Sequence, residues 1–454
     1  MIKYLTGDRE FNKTLIQLAL PIALQNLIMT SLNLVDTVMV GQLGEANIAA
    51  VALGNQIFFL ISLFLFGVSS GSSVFIAQFW GKRDVLSIRK VLGLSLICGF
   101  SVSFLAMITI LLFPAQILSI FSKDPEVIRI GSEYLTTVCF CYIPTAISFC
   151  FASTLRSTGQ AKLPVFASAI ALSVNTLLNY ILIFGKLGFP AMGAKGAAIA
   201  TVIARLCELI MILGAVYAMK LPPAASLREL TGFNRDFITR FFRLTVKVIL
   251  NEVLWSLGVT MYTVAYGRMG TDILAAVNIS SAVEKIAFVL FNGMANACAV
   301  MVGNKIGEGD EQTAFLYAKR LALLGPLIGV ILGVSVSLSS GLLLSIYNVS
   351  EEVYRNAVSI LTIFGLMMPI KIFNMINIVG ILRSGGDAMF SLIIDTTGVW
   401  FIAVPLVFVG GLVLQLPLFI VYLMVNLEEV YKVLLGIKRF LSGKWINNVV
   451  KQMA

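Results

Sequence analysis

A small set of ionisable side chains lies inside otherwise apolar sequence, where charge is costly and usually serves a purpose. They are Asp36, Arg205, Glu208, Glu252, Glu284, Lys285, Lys371 and Asp395. From Thr14 to Val40 the chain runs 27 residues with a single charge, Asp36. An acid held away from bulk water can take up and release protons; the plainer reading is a hydrogen-bonded acid that fixes its helix. Histidine is absent, so a proton relay must use carboxylates, Tyr, Lys or water. The six cysteines fall in apolar segments without metal-ligand spacing and read as small hydrophobic residues. On a helix, Gln25 and Asp36 are only about 20° out of phase, with Asn33 one turn before Asp36. Together they predict one polar stripe facing a protein interior. Arg205 and Glu208, at i and i+3, read as a structural ion pair, whereas the neighbours Glu284 and Lys285 cannot face each other.

The elements that carry these residues follow from composition. The chain has 454 residues, 58% of them hydrophobic and 12% charged. Soluble domains carry about twice that charge, so an all-α integral membrane protein is expected. The weak alternation of a membrane β-barrel is absent. Twelve transmembrane helices are predicted, at 14–40, 48–78, 91–113, 131–155, 163–184, 193–218, 241–265, 275–302, 317–346, 356–380, 389–410 and 413–434. No cleavable signal peptide is expected, and MIKYLTGDREFNK reads as an amphipathic lead-in lying on the membrane.

The net charge of +10 is topological rather than a nucleic-acid patch. With the N-terminus in the cytoplasm, 24 Lys and Arg residues fall on the cytoplasmic side, Arg383 and Lys432 among them, against six outside. That bias predicts cytoplasmic N- and C-termini in a multi-pass protein of the plasma (inner) membrane.

The chain also repeats itself. GQLGEANIAAV at 41–51 returns as GRMGTDILAAV at 267–277, and GKRD at 81–84 as GEGD at 307–310, both at an offset of 226. LRSTGQA at 155–161 returns as LRSGGDA at 382–388, at 227. Six spans per half make the repeat parallel, giving two pseudo-symmetric six-helix lobes suited to alternating access. The expected organisation is an N-lobe at 1–218, a cytoplasmic linker at 219–240, and a C-lobe with a cytoplasmic tail at 241–454. At the repeat offset Asp36 corresponds to Tyr262, Asn26 to Glu252, and Ser168 to Asp395. The halves share architecture but differ in where they place their acids.

LALPIALQNLI and LVDTVMVGQLG, then QFWGKRD, LRSTGQAK and NTLLNYILIFG…PAMGAKGAAIAT, and NEVLWSLG, VGNKIGEGD and LRSGGDA in the second half, carry a resemblance. Over essentially its whole length the chain resembles the multidrug and toxic compound extrusion (MATE) family, in its norfloxacin-exporter branch, within the multidrug/oligosaccharidyl-lipid/polysaccharide flippase superfamily. The resemblance implies secondary-active efflux of amphipathic, often cationic, compounds against inward H⁺ or Na⁺. It implies an N-lobe coupling site of Asp36, Asn175, Asn179 and Thr201. Some family members carry a second Asp where this chain has Asn179, and a lone carboxylate has less charge to hold Na⁺. In the C-lobe it points to a cation or substrate site around Glu252, for which Tyr262, Lys371, Asn374 and Asp395 are the further candidates. The norfloxacin-exporter branch uses an acid on the tenth span; here that span offers Lys371, Asn374 and Asn377, and Lys371 is placed to neutralise Glu252 or Asp395.

The function expected is antiport without enzymatic chemistry and without a cofactor, H⁺ or Na⁺ being the coupling ion. Partners are small organic cations and the lipid bilayer, with no nucleic acid, and a monomer is expected. The competing readings are a lipid-linked oligosaccharide flippase, which would need a more cationic cavity, and an ion channel or membrane enzyme. No ATPase motif is present: LRSGGD lacks the strand and Lys-Ser/Thr of a phosphate-binding loop.

Overall fold

The computed structural model describes residues 9–345, 347, 349–451 and 453, without the side chains of Asn33 and Leu290. Among the described residues twelve long helices follow one another: α1 Arg9–Gly41, α2 Glu45–Gly81, α3 Val85–Leu112, α4 Pro125–Ser157, α5 Lys162–Phe184, α6 Gly193–Ala218, α7 Arg235–Met269, α8 Thr271–Glu308, α9 Glu311–Leu344, α10 Glu351–Leu382, α11 Ala388–Val413 and α12 Leu418–Leu441. No strand occurs among the described residues. α1 to α11 are each long and apolar enough to cross a membrane. α12 has 24 residues, also enough for a span, but carries Glu428, Glu429 and Lys432 along it. The protein is an all-α integral membrane protein. Of the expected membrane-surface lead-in, residues 1–8 lie outside the described residues, and Arg9–Lys13 already form the start of α1.

The sequence repeat marks where helices stop. In GKRD and GEGD the third residue takes the left-handed region, Arg83 at φ 60° and Gly309 at φ 84°. The fourth then caps the next helix: Asp84 accepts from the Ser87 backbone N–H at 3.0 Å, and Asp310 from that of Thr313 at 3.0 Å. In LRSTGQ and LRSGGD the equivalent glycines, Gly159 and Gly386, stand at φ 84° and 81°. The shared motifs are therefore helix punctuation, which both halves need for the same reason.

The chain divides into two compact units. The N-unit comprises Leu24–Ile76 and Asp84–Thr245; the C-unit comprises Met1–Ala23, Ala77–Arg83 and Val246–Ala454. α1 contributes to both, its division falling between Ala23 and Leu24, just past Pro21. Pro21 has no N–H to offer the turn before it, a local weak point in the helix.

In the N-unit, Leu65, Leu118, Leu135 and Tyr142 belong to one fully buried cluster. The 219–240 segment packs into this unit: Arg89 on α3 pairs with Glu229 at 2.5 Å and donates to the Pro222 carbonyl at 3.2 Å. Hydrogen bonds from Ser226 and Arg89 hold the Glu229 carboxyl below its usual range.

In the C-unit, α9 and α10 meet through Gly325, Gly329 and Gly333, spaced one turn apart. A Cβ on any of them would strike Ile376, Pro369 or the Gly365 carbonyl. Small residues at this spacing let two backbones touch, and dispersion over that contact holds helices together where lipid offers no hydrophobic drive. The end of the chain closes the same unit. Trp445 is fully buried, and Gln78 donates to the carbonyls of Ser384 and Asn447 while accepting from the Val449 N–H.

Candidate functional site

The N-unit brings Asp36 of α1, Asn175 and Asn179 of α5, and Thr201 of α6 to one point. Asn179 Nδ2 donates to Asp36 Oδ1 at 2.5 Å and is also within reach of Asn175 Oδ1 at 3.1 Å. Thr201 Oγ1 reaches Asp36 Oδ2 at 3.5 Å, and Asn175 Nδ2 donates to Thr201 Oγ1 at 3.3 Å. The i, i+4 spacing of the asparagines puts both amides on one face of α5. Asp36 is 6% exposed and both asparagines are fully buried. Among the described residues no cation pairs with Asp36; its hydrogen-bond partners, Asn179 and Thr201, are neutral donors.

A cavity of about 20 Å³, room for one water, opens on this carboxylate. Asn55, Phe58, Tyr134, Thr201 and Arg205 help to line it, and Tyr134 donates to Asn55 Oδ1 at 3.3 Å. Arg205 forms the i, i+3 pair with Glu208 at 2.9 Å, and Ser168 also donates to Glu208, at 2.6 Å. The guanidinium therefore borders the cavity with its charge already matched.

The single polar stripe expected on α1 separates into two sites. Gln25 donates to Ser168 at 3.3 Å and accepts from Arg156 at 3.0 Å, well away from the Asp36 cluster. The reason is axial: eleven residues advance a helix by about 16 Å, so a shared face does not mean a shared site. Asn33, the third member, has its side chain outside the described residues.

Of the five C-lobe candidates, Asp395 and Tyr262 meet around Lys432 and Glu428, Lys371 and Asn374 meet at Glu429, and Glu252 pairs elsewhere. Glu252 on α7 pairs with Arg383 at 2.6 Å. Lys371 pairs with neither Glu252 nor Asp395; it lies 3.6 Å from Glu429, which also accepts from Asn374 at 2.7 Å. Asp395 on α11 is held by Lys432 at 2.7 Å and by Asn251 Nδ2 at 3.0 Å. Lys432 also lies 3.4 Å from Glu428, and Tyr262 donates to Glu428 at 3.2 Å. Glu284 accepts from Tyr422 at 2.7 Å, while Lys285 is exposed.

Reading the sequence thus missed Arg383, Glu428, Glu429, Lys432 and Asn251. Arg383 and Lys432 count among the cytoplasmic positive charges there, yet both are 3% exposed and ion-paired. One signal was available: Glu428 and Lys432 are i and i+4 inside the predicted span 413–434, a pair the interior of a helix would carry only with partners.

The polar contacts of the two halves correspond in part. Gln25 and Ser168 stand at the repeat offsets from Asn251 and Asp395, and each pair is hydrogen-bonded. Arg156 stands likewise to Arg383; the first reaches Gln25, the second Glu252. Arg205 stands at offset 227 from Lys432. The same polar skeleton is kept, with its charges redistributed.

Comparison with known proteins agrees with this architecture. The MatE family model matches residues 21–181 and 248–409, one match in each half. A probable multidrug resistance protein NorM of Thermotoga maritima is 25% identical, covering 97% of this chain and 94% of its own length. One of the same description from Photorhabdus laumondii is 28% identical over 88% of each chain. A crystal structure of a variant of the Vibrio cholerae MATE transporter VcmN superposes with a TM-score of 0.88 over 98% of this chain and 99% of its own, at 18% identity, a likeness of fold. Matched by the family model across both of its halves, this chain belongs to the MatE family of multi-pass membrane transporters.

Proposed function

We propose that the protein is a secondary-active exporter of amphipathic organic cations and related xenobiotics, and that Asp36 carries the ion exchanged for them. The relatives named as multidrug resistance proteins support the substrate class. The observation that carries the coupling role is a buried carboxylate with neutral donors, beside a water-sized cavity. Both Asp36 oxygens already face N–H or O–H donors, so a proton, which needs one oxygen, fits this arrangement better than Na⁺ does. Sodium is the second reading, with Asp36, Asn175 and Thr201 as its oxygen donors. The membrane is taken to be the plasma membrane, with both termini cytoplasmic; moving Arg383 and Lys432 to the interior leaves the positive bias strongly one-sided.

The cycle follows from hydrogen-bond strength. A bond to a charged acceptor contributes about 1.5–3 kcal/mol, a neutral one about 1 kcal/mol. While Asp36 is ionised it ties α1 firmly to Asn179 on α5 and Thr201 on α6. A proton arriving from outside weakens both ties by on the order of 1–2 kcal/mol each. That is enough to shift a two-state equilibrium by tenfold or more, letting α1 rearrange and substrate leave. The buried cations Arg205, Arg383 and Lys432 are each paired with a carboxylate, which leaves little positive charge for the pyrophosphate of a flippase substrate. The test is ethidium efflux from cells carrying Asp36→Asn, at matched expression. Efflux should drop to that of cells without the transporter; wild-type rates would remove Asp36 from the mechanism.

A further inference from the structure

The C-unit contains a carboxylate cage that the coupling site does not use. Asp395 of α11 and Glu428 of α12 converge on one ammonium, Lys432, at 2.7 and 3.4 Å. Asn251 and Tyr262, both on α7, complete the enclosure by donating to Asp395 and Glu428. All five are buried, none more than 9% exposed. The second Asn251 atom matters most: Oδ1, on a side chain 2% exposed, is buried without a hydrogen-bond partner. An amide oxygen in that condition is an acceptor with capacity to spare for a donor or a cation.

We infer that Lys432 is a tethered internal cation that occupies a carboxylate cage of Asp395, Glu428, Asn251 and Tyr262, and so decides that the C-unit takes no metal ion from solution.

In the N-unit the cation at the corresponding helix position, Arg205, is matched by Glu208, and Asp36 is left with neutral donors. In the C-unit Lys432 sits between two acids and is the cation of the cage itself. Two carboxylates around one ammonium leave a net charge of −1; without the ammonium the two acids could stay ionised together only if another cation entered, with the Asn251 and Tyr262 oxygens alongside. Such a set of oxygens is the natural ligand chemistry of a hard monovalent or divalent cation. Glu429 is not available to replace Lys432 as the balancing group, because it shares the cage's sign and is already engaged by Lys371 and Asn374. The inference is separate from the ion that Asp36 carries, and its test removes that acid.

The experiment uses the full chain purified in detergent with Asp36→Asn, measuring bound radiolabelled Na⁺ and melting in NaCl against choline chloride at equal ionic strength. With Lys432 intact, Na⁺ and choline should give the same Tm and no Na⁺ should bind. Adding Lys432→Gln should create binding of about one Na⁺ per chain and a Na⁺-specific rise in Tm. Further addition of Asp395→Asn should abolish both. The proposal is overturned if the Lys432-intact protein binds Na⁺ in a way that Asp395→Asn removes. It is also overturned if folded Lys432→Gln gains nothing, or if its gain survives Asp395→Asn. Should Lys432→Gln not melt cooperatively, Lys432→Met, purified in NaCl throughout, takes its place with the same expectations.

Discussion

Tyr262 donates a hydrogen bond to Glu428 at 3.2 Å, where the first half sets Asp36 beside Thr201 at 3.5 Å. The offsets are 226 from Asp36 to Tyr262 and 227 from Thr201 to Glu428, those of the repeat. Each half thus pairs one acid with one hydroxyl across its first and last helices, and the acid has changed helix. In the N-unit the partners of that acid are neutral; in the C-unit Glu428 also has Lys432. Glu428 has an internal cation beside it, whereas the hydrogen-bond partners of Asp36 are neutral.

A second carboxylate at Asn179 should change the ion preference. Asn179→Asp places an acid one helical turn from Asn175 and directly against Asp36. Two acids sharing a site cannot both stay charged without a cation. In proteoliposomes, an imposed Na⁺ gradient should then stimulate drug transport by about tenfold, equivalent to ~1.4 kcal/mol of coupling. An unchanged response to Na⁺ would rule out Asp36 as the site where the ion is chosen.

The Glu252–Arg383 pair should behave as a structural unit. Removing one partner of a buried pair costs about 3–5 kcal/mol because it strands the other charge. Glu252→Gln and Arg383→Met are each expected to lower Tm strongly, and the double substitution less than the sum of the two. Additive losses in a melting series would show that the 2.6 Å contact carries no coupling.

Gly365→Val should prevent α9 and α10 from closing. Its Cβ position already meets the Gly333 carbonyl and the Ser337 hydroxyl, so any side chain forces the backbones apart. The expected outcome is aggregation or loss of the monodisperse peak on size exclusion, with a penalty of about 1–3 kcal/mol or more for overpacking. Ser337→Ala should leave the fold intact. A wild-type elution profile for Gly365→Val would contradict the close approach.

The cap at Asp310 gives a pH dependence with a definite sign. Hydrogen bonds from Thr313 hold its carboxyl below the ordinary value of 3.8. A folded value that is depressed means stabilisation present above the ordinary value and lost as pH falls through the folded one. Asp310→Ala should therefore cost about 0.5–1 kcal/mol at neutral pH, toward the low end because the group is near solvent. The difference from wild type should narrow as pH falls below about 5 and on through the depressed folded value. A difference that stays constant through that range would mean the cap works without its charge.

Span number, repeat and helix ends were legible in the sequence because each follows from local chemistry: apolar runs, glycines and N-cap aspartates. The N-lobe cluster was nearly legible too, since Asn175 and Asn179 share a face by spacing alone and the family resemblance added Asp36 and Thr201. The C-lobe was not. Lys371 looked like the natural partner for Asp395 because both are intramembrane, but its nearest acid is Glu429. The ammonium that does hold Asp395 belongs to Lys432. Which of several charges meet depends on how helices are rotated about their axes, and no spacing within one helix reports that. Counting Lys432 and Arg383 as headgroup charges failed for a related reason: a Lys or Arg near a span end looks identical whether it reaches outward or inward.

The clasp around Gln78 also sets an order of events in biosynthesis. Its partner Asn447 lies 369 residues later in the chain. At about 5–20 residues per second, the ribosome delivers that partner roughly 20–70 s after Gln78 itself. Through that interval the Gln78 amide must be satisfied by water, headgroups or the insertion machinery. The C-unit cannot complete its own polar closure until residues 447–449 have been made, so a nascent chain stalled before Trp445 would present an open, unclasped unit to the cell's proteases.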